Sequence, residues 1–259
     1  MSTRALMTDL IQYLDTITNA QSLEELWQQH CDKMATYGFD RLIYGYTRQR
    51  TNKSLGDIED MVILTNQPPE YMNQFLDAGL YDDAPMVNWA LENAGACSWS
   101  WIQDQIEQGA FSQAEMDVIE FNQKMKTTGG YTVSLKSVSA RSKGAIALTA
   151  RQDVSQEAID QVWHRHGTDL IVMNNVLHPK ILTLPHVGGR PLTSRQREVL
   201  EWVGDGKTTQ DIATILGRTS ATVEKHLRLA RDALGVETTA QAVLKAAFQN
   251  QMYVLDRAG

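Results

Sequence analysis

In "TSATVEKHLRLARDALG" (residues 219–235) the apolar residues Val223, Leu227, Ala230 and Leu234 recur at steps of four, three and four. That spacing lines them up on one face of an α-helix and predicts a buried stripe. With Val223 turned inward, a rotation of about 100° per residue carries Lys225 and Arg228 almost directly outward. Glu224 and Thr222 take the flanks, and His226 and Arg231 add to the cationic character. The protein around this helix carries a formal net charge of −7. A basic helix in an acidic chain suits a partner more acidic than the chain itself.

The residues on either side supply helix starts and stops. "TSRQ" (193–196), "TTQD" (208–211) and "TTAQ" (238–241) each match the capping box, in which a threonine oxygen and the side chain three residues on satisfy free N–H groups reciprocally. Each box precedes an apolar-periodic run, and Gly206, Gly217 and Gly235 fall where the helices should stop. Four short helices with tight connections predict an all-α helix-turn-helix domain. In that arrangement the second helix enters the major groove of double-stranded DNA while the one before it braces the backbone. Arg228 has the forked donors to grip guanine, and Glu224 can accept from cytosine. Lys225 and Thr222 share the outward side. Lys207, Thr208, Thr209, Thr219 and Ser220 stand at helix starts, where hydroxyls and free N–H groups suit phosphate. Asp232 also points outward, but beyond the expected groove contact. A basic face on an isolated helix is ordinarily a solvated surface. The ordered caps and glycines around this one argue for a reading head.

"LTSRQREVLEWVGDGKTTQDIATILGRTSATVEKHLRLARDALGV" (192–236) resembles the DNA-binding domain of LuxR-type transcription regulators. It departs from the usual pattern at Gln196, where glutamate is usual, at Glu224, where lysine is common, and at Ala233, where a late lysine stands. Gln196 preserves the capping box. Glu224 puts a negative charge on the reading helix and so implies a target sequence of its own.

Upstream, "HPKILTLPHVGGRP" (178–191) packs three of the six prolines and two adjacent glycines into fourteen residues. Pro179 should end the preceding helix, and Gly188 and Gly189 add backbone freedom, so residues 179–191 read as a linker. It separates a regulatory domain, 1–178, from the DNA-binding domain, 192–259. Charge divides the same way. Residues 190–259 hold ten basic against eight acidic side chains, a net +2, and residues 1–189 hold 14 against 23, a net −9. At 259 residues and 42% hydrophobic, the chain is long enough for two cores. It has no apolar run of membrane-spanning length and no secretory-type start. Cys31 and Cys97 have neither metal-ligand nor paired spacing. These features predict a cytoplasmic protein without membrane association. His164 and His166 in "WHRH" point about 200° apart on a helix and make a poor metal pair.

Residues 1–178 alternate helix and strand signals. "ALMTDLIQYLDTIT" and "LEELWQQHCDKMATYG" are amphipathic, while "RLIYGYTR" and "DMVILTN" are β-branched and aromatic. Helical segments follow at "PEYMNQFLDAG", "APMVNWALENA" and "SQAEMDVIEFNQKMKT". "GYTVSLKSV" and "KGAIALTA" alternate like a hairpin, and a long helix over about residues 155–177 closes the block. Helices flanking a small antiparallel sheet predict a three-layer α/β/α sandwich, with a ligand pocket between sheet and helices.

This order, with "PPEYMNQFLDAGLYDDAPMVNWA", "SWSWI", "GGYTVSL" and "SKGAIALTA", resembles the autoinducer-binding domain of LuxR-type quorum-sensing regulators. The resemblance implies a small-molecule effector of the acyl-homoserine lactone kind, no cofactor, and action as a homodimer. It puts Tyr71 where a tryptophan contacts the lactone carbonyl, and its hydroxyl would donate there. Phe75 stands one helical turn on, and Trp99 beside the lactone ring. Gly130 falls on a glycine of the pattern. Met86, Thr132 and Ala147 fall among the ligand-facing places. The aspartate that grips the ligand amide is replaced by Ala84, with Asp83 one step earlier. Either Asp83 turns inward or the ligand lacks the usual head, because an amide buried against alanine goes unpaired. A regulator with no small ligand is a third reading, and core packing is the plain alternative for Tyr71, Phe75, Trp89 and Trp99. Dimer contacts are expected from the Ala/Val face of the last helix and from the long helix before the linker.

Two other classes fare worse. A response regulator shares the output domain but needs a phosphoacceptor aspartate ending a buried strand, and Asp82-Asp83 follows no such strand. An enzyme would need a nucleophile elbow, a phosphate loop or a ligand cluster, and the sequence has none.

Overall fold

The structure, a computed structural model, describes residues 3–51, 55–56, 58–137, 139–185 and 190–253. Gly188 and Gly189 of the expected linker, Val138 of the expected hairpin and residues 254–259 lie outside the described residues. The chain divides into two compact units, Met1–Ile181 and Leu182–Gly259.

The first unit runs α1 (Thr3–Asn19), α2 (Leu23–Ala35), β1 (Phe39–Thr47), β2 (Val62–Thr65), α3 (Pro69–Asp77), α4 (Pro85–Glu92), β3 (Gly95–Ser98), α5 (Ser100–Glu107), α6 (Gln113–Lys124), β4 (Gly130–Leu135), β5 (Lys143–Ala150) and α7 (Gln156–Thr183). The strands form one antiparallel sheet in the order β2-β1-β5-β4-β3, so the predicted hairpin β4–β5 lies at its heart. All six residues of β4 are buried. A strand loses its polar face when both sides of its sheet are covered, and here they are. Tyr44, Ile146 and Val133 form a row across β1, β5 and β4 on one face. There the Tyr44 hydroxyl meets His178 Nδ1 of α7 at 2.7 Å, and Trp163 of α7 stacks on Tyr131 with ring centroids 3.9 Å apart. The neighbouring row, Ile43, Ala147 and Thr132, faces the layer built from α3 to α6. The result is the three-layer sandwich.

Proline does not end α7 as the sequence predicts. The helix runs on to Thr183 with Pro179 inside it. Pro179 has no N–H for the carbonyl four residues back, a real cost. Leu177 and Ile181 straddle it, both fully buried, and Lys180 Nζ donates to the Thr18 carbonyl at 2.8 Å. Burial of that stripe outweighs one missing bond. β3 and α5 escaped the sequence reading. β3 is a four-residue edge strand without alternation, and α5 begins after Trp99 with no side-chain cap.

The second unit is all-α: α8 (Ser194–Gly204), α9 (Thr209–Ile215), α10 (Ser220–Leu234) and α11 (Thr239–Phe248). The capping boxes at Thr193, Thr208 and Thr238 all form, with both reciprocal bonds in place. Gly206, Gly217 and Gly235 adopt positive φ where the helices stop, Gly235 at +62° as the left-handed cap of α10. Val223, Leu227, Ala230 and Leu234 are buried with Val199, Leu200 and Ile212 in one core. Ala242 and Ala246 belong to that core too, at 0% exposure. Of the Ala/Val face of α11, Ala242 and Ala246 therefore pack inside their own unit and are not open to a second copy, while Val243 is half-buried and Ala247 is exposed. The large apolar side chains that α11 exposes are Leu244 and Phe248.

Candidate functional site

A cavity of about 460 Å³ opens between the Ile43–Ala147–Thr132 row and the α3–α6 layer. Ala147 of β5 lies on the sheet side of this cavity. α3 contributes Tyr71 and Phe75, stacked with ring centroids 5.5 Å apart, and the start of α4 contributes Ala84 and Met86. Trp99 enters from the turn after β3. Its position is fixed by its backbone N–H on the Gly130 carbonyl at 3.0 Å and by its neighbour Ser98, which donates to Asp160 at 2.7 Å. Tyr131 and Gln156 donate to the same carboxylate oxygen, so one aspartate of α7 pins the edge of the sheet. At Gly130 a Cβ would stand 2.2 Å from the Leu148 carbonyl oxygen. That close approach of two backbones is what a glycine is needed for.

Tyr71, Phe75, Met86, Trp99, Thr132 and Ala147 all line the cavity. Asp83 does not. It is exposed, and Ala84 is the residue turned inward. Ala84 is buried in extended backbone ahead of α4, and Asp83 before it lies in a turn with its side chain exposed. The Tyr71 hydroxyl is not free to donate either: its proton goes to Asn122 Oδ1 at 2.8 Å, and burial pushes its pKa well above the ordinary tyrosine value. The Trp99 indole N–H is likewise committed, to Thr132 Oγ1 at 2.9 Å. Among the described residues no carboxylate lines the cavity, and Lys143 is its one charged side chain. Burial and the nearby Arg50 lower the Lys143 pKa.

Sequence reasoning missed Gln67 and Asn122. Gln67 is buried in the short link between β2 and α3, and its amide Nε2 donates to Thr149 Oγ1 at 3.3 Å. Its signal was obscured by the two prolines that follow it.

The second site is the exposed side of α10. Lys225, Arg228 and Glu224 are exposed there, Thr222 is half-buried, and Val223 faces the core. Thr219 caps the helix through the Thr222 N–H, with Ser220 next to it, while Lys207, Thr208 and Thr209 cluster at the start of α9. Two contacts were not foreseen. Arg228 Nη1 pairs with Asp232 Oδ2 at 3.0 Å, and Arg231 bridges Glu224 at 3.5 Å and the Thr239 hydroxyl at 2.9 Å. The i,i+4 spacing of Arg228 and Asp232 was the available signal. Lys225 forms no ion pair with another described residue.

Comparison with known proteins separates the same two parts. Residues 22–181 match the family model for an autoinducer binding domain, and residues 190–246 match that for bacterial regulatory proteins of the luxR family. The transcriptional activator LuxR of Aliivibrio fischeri is 25% identical over 190 residues, covering 72% of this chain and 73% of its own. The activator AnoR of Acinetobacter nosocomialis is 23% identical over 243 residues, covering 92% and 95%. Among solved structures, the N-acylhomoserine lactone dependent LuxR-family factor CepR2 from Burkholderia cenocepacia aligns with a TM-score of 0.51 at 16% identity, over 67% of this chain and 94% of that one. In the described residues no helix is long and apolar enough to cross a membrane. With an autoinducer-binding sandwich ahead of a luxR-type helix-turn-helix, the chain belongs to the LuxR family of transcription regulators, which are not enzymes.

Proposed function

We propose that this regulator binds a small apolar signal of the acyl-homoserine lactone class or a close relative, and reads a pseudo-palindromic DNA site as a homodimer in the cytoplasm. The observation that carries the reading is the largely apolar cavity of about 460 Å³ between sheet and helices, a size and character suited to one acyl chain with a compact head. On the DNA side, Arg228 and Lys225 meet base edges and phosphates, Glu224 and Thr222 flank them, and Lys207, Thr208, Thr209, Thr219 and Ser220 hold the backbone. Twofold symmetry would set two α10 helices about one DNA turn apart. The apolar Leu244 and Phe248 of α11 and Val172 of α7, exposed in the single chain, are the contacts that dimerisation would cover.

The test is a thermal-shift titration with N-octanoyl homoserine lactone on the wild type and on Ala147→Phe, which fills the cavity floor. A ligand present at about a hundred times its Kd adds about 2.7 kcal/mol to the stability of the folded form. The wild type should shift and the variant should not. No wild-type shift at any acyl length would overturn the small-molecule reading in favour of a protein partner.

A further inference from the structure

Gln67 is 6% exposed, lines the cavity, and holds its side-chain amide against Thr149 Oγ1 at 3.3 Å. Its carbonyl oxygen Oε1 is buried with no hydrogen-bond partner. Two donors of the cavity wall are committed elsewhere: Tyr71 gives its proton to Asn122, and Trp99 gives its proton to Thr132. Of the cavity-lining residues described, Gln67 is the one with a buried polar side-chain atom left over. The other such atoms of the first unit, on Trp27, Gln29, His30 and Asn174, belong to α2 and α7, on the opposite face of the sheet. A buried acceptor is costly to leave unpaired, so a group that completes it gains selectivity.

We infer that Gln67 Oε1 is the polar anchor of the cavity and that the signal is an uncharged amphiphile whose head donates an N–H or O–H to it. The inference rests on the proposed small-molecule site and deepens it. It places the acceptor on the link between β2 and α3 rather than at the start of α4, where Ala84 offers no side-chain acceptor and Asp83 faces solvent. The tail lies along the Ile43–Ala147 floor toward Met86 and Ile106. A cationic head is excluded on the same grounds: no carboxylate lines the described cavity, and Lys143 would repel one.

A matched pair of probes tests this, N-methyloctanamide and methyl octanoate, which differ by an N–H in place of an ester oxygen. Affinities are read by competition against a fluorescent fatty probe on the full chain. The wild type should prefer the amide by about tenfold. Gln67→Leu should erase or reverse that order while still binding the ester. The wild-type ratio needs no variant, so a Gln67→Leu chain that failed to fold would leave the test standing. An ester that bound as well as the amide in the wild type would overturn the role of Gln67 and leave the cavity as a signal site. An amide preference that survived in Gln67→Leu would do the same. If neither probe bound, the proposed function and this inference would fall together.

Discussion

Replacing Arg228 with alanine tests the reading head directly. A bidentate arginine–guanine pair is worth about 1–3 kcal/mol, or about 5- to 150-fold in Kd. The structure adds a complication, because the guanidinium is held by Asp232 at 3.0 Å. Both side chains are more than half exposed, 57% and 59%. Solvent screening therefore limits that pair to about 0.3–0.5 kcal/mol, the usual range for an i,i+4 pair on a helix. DNA outbids Asp232 easily, and Arg228→Ala should show nearly the full loss. Asp232→Ala should tighten binding by about twofold, since Arg228 no longer has a partner to leave. The assay is fluorescence anisotropy on a duplex enriched from a random pool, repeated over a salt series, with the base preference scored at each position. In an Arg228→Ala background the gain from Asp232→Ala should vanish, because it acts through Arg228. If Arg228→Ala kept both affinity and base preference, the docking of α10 would be refuted. If the Asp232→Ala gain persisted without Arg228, the aspartate would be acting as a general charge and not as a restraint on that arginine.

Two further outcomes follow from the first unit. Gly130→Ala must push apart β4 and β5, because its Cβ would sit 2.2 Å from the Leu148 carbonyl oxygen; a loss of about 3 kcal/mol or more in chemical unfolding is expected, and an unchanged midpoint would contradict the close approach. Burial holds His30 down at about 3 and His178 at about 4, against an ordinary 6.5. The unfolded chain takes up those protons below pH 6.5 while the folded chain refuses them, so stability is complete above 6.5 and drains away as the pH falls toward 4. His178 alone should contribute about 2 kcal/mol to that slope after allowing for its partial exposure. Urea midpoints followed from pH 7 to 4.5 should fall, and less steeply in His178→Gln; a flat profile would contradict the burial.

The C-terminal unit was legible because its signals are local. A threonine and a glutamine three residues apart make a capping box without help from elsewhere, and Val223 to Leu234 need only helical spacing to declare a face. The central strands were legible for a similar reason: β1 is nine residues long and rich in β-branched and aromatic residues, and the segments of β4 and β5 alternate like a hairpin. Legibility failed where distant partners decide. Pro179 breaks a helix by local rules, yet the buried Leu177 and Ile181 carry α7 past it. Which carboxyl or amide points into the cavity depends on backbone phase across a turn, so Asp83 and Gln67 exchanged places between expectation and structure. Whether a hydroxyl is free depends on what the fold sets beside it, and Asn122 is 51 residues from Tyr71.

The second unit supplies its own caps and encloses its own core, from Val199 through Leu234 to Ala246. A tool finished in this way keeps its edge whether or not anything upstream has heard a message. Control over it then need not melt and recast the blade. Under the proposed homodimeric reading, it acts on how many blades are brought to the same stretch of duplex, and when.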